Sequence, residues 1–132
     1  MGAIWPVQVA VYTRLTGDAA LMAAVGGVYD GVASDAAVAP YVVIGSSTEA
    51  PARTFGRAGW SDTLTIHVWS DYAGRLQSLS VLELIDAALA APLAIGGHQS
   101  ARLSREFAEA LVDPGGMRHI PARYRVTTRE AA

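Results

Sequence analysis

The feature that most constrains the fold of this chain is the alternation of side chains over residues 60–69. Trp60, Leu64, Ile66 and Val68 occupy even positions, whereas the odd positions are mainly polar or aromatic. A period of two puts these sets on opposite faces of a β-strand. The segment therefore predicts a strand with one buried face and one polar face, which is typical of antiparallel sheets.

Hydrophobic spacing, capping residues and turn residues predict the other elements. We expect helices over 7–15, 19–25 and 75–91, and further strands at 28–29, 41–44, 101–107 and 117–128. Asp18 is expected to cap the second helix. The segment from Gly45 to Gly59 is rich in Ser, Thr, Gly, Pro and Arg, and we expect a long exposed loop there. The chain is thus predicted to be a single α+β domain over residues 1–132, with a mainly antiparallel sheet of about four or five strands and helices packed on one face.

Composition argues against most kinds of chemistry. The chain has 132 residues, a net charge of −2 and no cysteine, which excludes disulfides, thiolate nucleophiles and zinc fingers. None of its three histidines, His67, His98 and His119, lies in a predicted helix with an acidic or histidine partner one turn away, so no metal site is predicted. No uncharged stretch resembles the roughly 20 apolar residues of a membrane-spanning helix. We predict no catalytic residues, no cofactor and no enzymatic activity.

The small fraction of charged residues predicts that this chain associates with other protein subunits. Charged residues make up 17% of the chain, below the average of about 25% for soluble domains. A small domain with so few charges is expected to bury part of its surface against other subunits. Trp69 falls on the otherwise polar face of its strand, where it needs a covering helix or a neighbouring subunit. We predict that Trp69, Asp71 and Tyr72 lie at or beside a subunit contact.

Two further groups are candidate interface residues. In the predicted loop, Phe55 lies between Arg53 and Arg57, a combination of residue types that is common at the energetic centre of interfaces. Arg123 and Arg125 share one side of the last predicted strand. Their guanidinium groups are suited either to phosphates or to acidic residues of a neighbouring subunit. No alternating aromatic side chains accompany them, so sequence-specific nucleic-acid binding is not expected.

Several short segments occur in a distinctive order. They are 15–21 (LTGDAAL), which spans the end of the first predicted helix, the strands 40–45 (PYVVIG) and 64–70 (LTIHVWS), and Gly74 at the start of a helix. In this order they resemble the tail terminator, or tail completion, family of long-tailed phages and gene transfer agents. The resemblance covers roughly residues 8–105. The most specific part of this resemblance is the strand 64–70 followed by Gly74.

This resemblance implies a structural α+β subunit that has no enzymatic activity. Such subunits form a hexameric ring at the head-proximal end of the tail tube, end its polymerisation and join the tail to the head connector. The implied partners are further copies of the chain, the tail tube protein and a head-tail connector or stopper protein, and DNA passes through the lumen without being read. The implied location is the tail of a virion or virus-like particle assembled in the host cytoplasm, and the alanine-rich composition fits a gene transfer agent. Two alternatives remain open: another head-tail connector ring such as a stopper or adaptor, and a dimeric α+β ligand-binding domain or small enzyme.

Overall fold

The structure is a computed structural model, and it describes residues 2–53 and 56–131. Over these residues the chain forms three α-helices and six β-strands. In chain order they are α1 (Ile4–Thr16), α2 (Ala19–Ala24), β1 (Val28–Asp30), β2 (Tyr41–Pro51), β3 (Gly59–Ser70), α3 (Leu76–Ala88), β4 (Ser104–Ala108), β5 (Leu111–Val112) and β6 (Arg118–Arg129).

The strands form one sheet in the order β1-β2-β3-β6-β4, and β5 also pairs with β6. Only the pairing of β1 with β2 is parallel in the described sheet. The predicted α+β class with a mainly antiparallel sheet is therefore confirmed. The sheet has more strands than expected because β5, at two residues, is too short to produce an alternating pattern.

The even-numbered face of β3 is buried, as the alternation predicts. Leu64, Ile66 and Val68 are each at most 2% exposed. They belong to one core that also contains buried residues of all three helices and of β6. These include Val7, Val11 and Leu15 of α1, Leu21 of α2, Val81 and Ile85 of α3, and Ile120, Ala122, Tyr124 and Val126 of β6. The expectations of a single domain with its helices on one face of the sheet stay predictions.

The helix boundaries follow local chemistry. The carboxylate of Asp18 accepts the N–H of Leu21 at 2.9 Å, which confirms the predicted cap of α2. Helix α1 begins earlier than predicted and includes Pro6 in its first turn, where the missing proline N–H costs nothing. Helix α3 ends at Ala88, before the predicted residue 91, because Pro92 has no N–H to donate to the carbonyl of Ala88.

The expectation of a long loop from Gly45 to Gly59 is wrong. Strand β2 continues to Pro51 and pairs with the first half of β3, with Glu49 opposite Asp62 and Pro51 opposite Trp60. A bulge after Ile44 shifts the register without ending the strand. The polar composition misled the prediction because a strand that is half-exposed tolerates Ser, Thr and Glu once a neighbouring strand satisfies its backbone hydrogen bonds.

Candidate functional site

The side of the sheet that carries the odd-numbered residues of β3 and β6 is called the outer face below. Its members are Thr65, His67 and Trp69 of β3, and His119, Pro121, Arg123 and Arg125 of β6. Trp69 lies directly opposite His119, and Thr65 lies opposite Arg123. The outer face thus brings together three of the predicted interface residues, Trp69, Arg123 and Arg125.

Trp69 has a partner within its own chain. Its ring stacks on that of His119, with 3.9 Å between the ring centroids and an interplanar angle of 3°. Nε2 of His119 lies 2.7 Å from Nδ1 of His67, at hydrogen-bonding distance. Gly45 on β2 makes room for this pair, because a Cβ there would lie 2.6 Å from Nε2 of His67. The side chain of Trp69 is therefore half-buried against a histidine of β6, whereas sequence reasoning had considered a helix or a neighbouring subunit.

Burial favours the neutral form of both histidines. Burial lowers the pKa of His67. Burial and the neighbouring His67 lower the pKa of His119, against an opposing effect of Asp113. A hydrogen bond between two imidazoles needs one ring N–H and one free lone pair, so protonation of both rings would break it. The pair cross-links β3 and β6 as long as at least one of the two rings is neutral.

The two arginines of the outer face are paired within the chain. Nε of Arg123 and Nε of Arg125 each lie 2.8 Å from a different oxygen of the Glu106 carboxylate. Arg125 also donates to Oγ of Ser61 at 2.8 Å, and the guanidinium of Arg123 lies 5.2 Å from the ring centroid of Phe107. The two arginines hold the pKa of Glu106 below its ordinary value. One carboxylate thus offsets part of the positive charge that the sequence suggested for phosphates or for a neighbour.

Glu106 is positioned by a bulge in β4 and by contacts behind it. The bulge lies between Arg105 and Phe107, where the register with β6 shifts. Arg105 pairs with Asp86 of α3 at 3.1 Å, and the hydroxyl of Tyr124 donates to the same carboxylate at 2.6 Å. Asp86 therefore ties α3, β4 and β6 together directly behind the arginine cluster.

The remaining predicted interface residues lie at the two ends of β3. Asp71 and Tyr72 are exposed in the turn that follows β3, and Tyr72 is 50% exposed. Arg53 and Arg57 are exposed in the connection that precedes β3. Phe55 lies outside the described residues. The structure therefore separates the Arg53 and Arg57 pair from the Trp69 group by the length of the strand, and the interface role of all of them stays a prediction.

Sequence reasoning missed an apolar surface on α1. Ile4, Trp5, Val9 and Tyr12 are all exposed, Trp5 at 60%. Shallow apolar concavities flank this surface, one of them lined by Leu93 and neighbouring residues. The helical spacing of Trp5 and Val9 was a usable signal, since both face away from the buried stripe of the same helix.

Neither a cluster of metal-ligand side chains nor a membrane-spanning helix is present in the part of the chain that the structure describes. No group of three or more His, Cys, Asp or Glu side chains within 2–53 and 56–131 is arranged to hold a metal ion. Over the same ranges, no helix has the length and apolar character needed to cross a bilayer. The outer face, the two ends of β3 and the apolar surface of α1 are the candidate functional surfaces, and their exposed aromatic, aliphatic and arginine side chains are suited to protein contacts.

The fold and these surfaces agree with the class that sequence comparison defines, the structural tail proteins of phages. A family model described as "Tail completion protein gp17" matches residues 9–129, and the chain belongs to this family. The resemblance inferred from the sequence is thereby confirmed.

Solved structures extend the comparison over nearly the whole chain. A chain in the virion of a native gene transfer agent particle is 30% identical, with a TM-score of 0.84, over 93% of this chain and 94% of that one. The gp17 protein of bacteriophage SPP1 is 23% identical, with a TM-score of 0.60, over 95% of this chain and 88% of that one, a likeness that concerns the fold alone. No curated protein sequence matches the chain.

Proposed function

We propose that this chain is the subunit of a hexameric ring that ends polymerisation of the tail tube and joins the tail to the head connector. The ring sits at the head-proximal end of the tail of a phage or gene transfer agent particle, which assembles in the host cytoplasm. The observation that carries this proposal is the full-length similarity, at 30% identity, to a chain of a gene transfer agent virion. Membership in the tail completion family supports the same role.

The distribution of exposed apolar side chains supports a ring. A ring of identical subunits needs two different surfaces on each subunit, because every contact joins one surface to the other. The apolar surface of α1 lies beside β1 and β2, at one edge of the sheet. Phe107, Leu111 and Val112 are exposed on β4 and β5, at the opposite edge. We propose that these two edges meet between neighbouring subunits.

The ends of β3 are proposed to contact other proteins. Two exposed segments lie at opposite ends of β3: the turn with Asp71 and Tyr72, and the connection with Arg53 and Arg57. This arrangement is expected of a subunit that contacts the tail tube at one end and the head connector at the other. Trp69 lies beside the turn with Asp71 and Tyr72, and we propose that it belongs to the same contact. The pairing of Arg123 and Arg125 with Glu106 supports a lumen through which DNA passes without sequence-specific binding.

Electron microscopy of particles made without this gene tests the function. We expect unfinished heads alongside tail tubes of uncontrolled length, and restoration of normal tails when the gene is supplied again. Tubes of normal length that only fail to join heads would instead indicate a stopper or adaptor. A stable dimer in solution that saturates with a small ligand would contradict any role in tail assembly.

Variants at the two edges test the ring. Val9→Glu on α1 and Val112→Glu on β5 each place a charge on an exposed position, and each should abolish rings while the subunit remains folded. A mixture of the two variants retains one intact contact, so it should form dimers but nothing larger. Ala20→Glu, at an exposed position of α2 outside these surfaces, is the matched control and should assemble normally. Normal rings from Val9→Glu or Val112→Glu would reject this edge assignment while leaving the terminator function to the microscopy.

A further inference from the structure

Asp62 is a buried carboxyl group on the core side of β3. It is 2% exposed, and no N–H or O–H donor among the described residues reaches either of its oxygens. Its direct neighbours across the sheet are Glu49 on β2 and Val126 on β6. A carboxylate buried without a donor carries a large desolvation cost, so this position favours a carboxyl group that keeps its proton.

Glu49 attaches the start of α1 to the sheet. Its Oε2 accepts the N–H of Ala3, the residue before α1, at 2.8 Å. The approach is so close that a Cβ at Gly2 would collide with the same carboxylate. A negative charge is favourable at this point, because the first turn of a helix presents unpaired N–H groups and the positive end of the helix dipole. Glu49 therefore suits the ionised form, and Asp62 suits the protonated one.

We propose that Asp62 and Glu49 share one proton and form a latch that fastens the first turn of α1 to the sheet. In the closed latch, the O–H of Asp62 donates to Glu49, while Glu49 also accepts the N–H of Ala3. When the proton leaves to solvent, two neighbouring carboxylates repel each other. Glu49 is the half-exposed partner, so it turns toward water and releases Ala3. The opened latch loosens the start of the helix that carries the exposed Trp5.

The groups around the latch put its opening near neutral pH. Burial and the neighbouring carboxyl group of Glu49 raise the pKa of Asp62 to about 7. The β6 residues nearest Asp62 on this side of the sheet, Tyr124, Val126 and Thr128, carry no charge. Elsewhere at this end of the sheet, His98 and Glu130 form a backbone bridge with each other, and Arg129 of β6 lies opposite Gly59 on the outer side of the sheet. The ratio of closed to open latch should therefore change from about ten to one at pH 6 to about one to ten at pH 8.

Nuclear magnetic resonance of the full chain tests the latch. We expect the side-chain carboxyl carbon of Asp62 to titrate near neutral pH. We also measure the amide hydrogen exchange rate of Ala3 in two proteins, the unmodified chain and the Asp62→Asn variant. The side-chain amide introduced in that variant donates to Glu49 at every pH. The ratio of the two exchange rates should rise about tenfold between pH 6 and 8. Titration of Asp62 at an ordinary acidic pH, or a constant ratio, would overturn the proposal.

Two further variants keep the test decisive if Asp62→Asn does not fold. Glu49→Gln keeps an acceptor for Ala3 and gives Asp62 a neutral donor, so the pKa of Asp62 should fall and exchange at Ala3 should stay slow at pH 8. Asp71→Asn removes an exposed carboxylate outside the latch and should leave both measurements unchanged. Exchange at Ala3 as fast in Glu49→Gln as in the unmodified chain at pH 8 would also overturn the latch.

Discussion

Replacement of Tyr124 by phenylalanine tests whether Asp86 organises the region behind the outer face. Tyr124 is 2% exposed, and its hydroxyl donates to Oδ1 of Asp86 at 2.6 Å. Tyr124→Phe removes that oxygen while it keeps the ring, so it creates almost no cavity. The loss is therefore mainly that of one hydrogen bond to a charged acceptor, a class of interaction that contributes about 1.5–3 kcal/mol.

The expected cost lies at the lower end of that range. The Asp86 side chain is 33% exposed and stays bound to Arg105, so water and the guanidinium can satisfy the freed oxygen. We expect the free energy of unfolding to fall by about 1.5 kcal/mol, which corresponds to a Tm lower by about 5 °C for a domain of this size. Burial and Asp86 both raise the pKa of Tyr124, so the hydroxyl stays protonated and the effect should not vary with pH around neutrality.

Urea unfolding followed by circular dichroism, with an unchanged slope, measures this loss. Tyr12→Phe is the matched control, because Tyr12 is 42% exposed on α1, and its effect should stay within about 0.5 kcal/mol. Asp86→Asn completes a double-mutant cycle that isolates the coupling of the two side chains. A loss for Tyr124→Phe no larger than that for Tyr12→Phe would refute the reasoning.

Three further outcomes are expected on the outer face. Trp69→Ala should abolish assembly onto tail tubes at a cost of about 1–2 kcal/mol to the subunit, since its ring is only half-buried; intact assembly, scored by microscopy, would remove Trp69 from the interface. His67 and His119 have lowered pKa values in the folded state, so the unfolded chain takes up protons first as pH falls. The free energy of unfolding, measured by chemical unfolding, should therefore drop below about pH 6.5. The double variant His67→Gln with His119→Gln should flatten this pH dependence. Glu106→Gln frees two arginines and should create weak, salt-sensitive binding to duplex DNA of any sequence, measured by fluorescence anisotropy against the unmodified chain.

The amino-acid sequence by itself determined the elements that depend on neighbouring residues. The alternation around Leu64 and Ile66 identified the central strand and its buried face, and Asp18 marked the start of α2. Such signals are local, because a strand or a helix imposes its own period on the residues within it. The order of short segments also carried the family resemblance, which needs no tertiary structure.

Only the tertiary structure decided which distant side chains meet. Tyr124 and Asp86 are 38 residues apart, and Arg125 and Glu106 are 19 apart, so no local spacing announces either pair. The second half of β2 was missed for the same reason, since its polar residues become a strand only when β3 supplies the hydrogen-bond partners. Asp62 stands at an even position of the alternating strand, yet its burial beside another carboxyl group follows from the packing of β2 and α1 around it. Local patterns thus specify elements, whereas the pairing of charges and buried polar groups depends on how the sheet brings separate elements into contact.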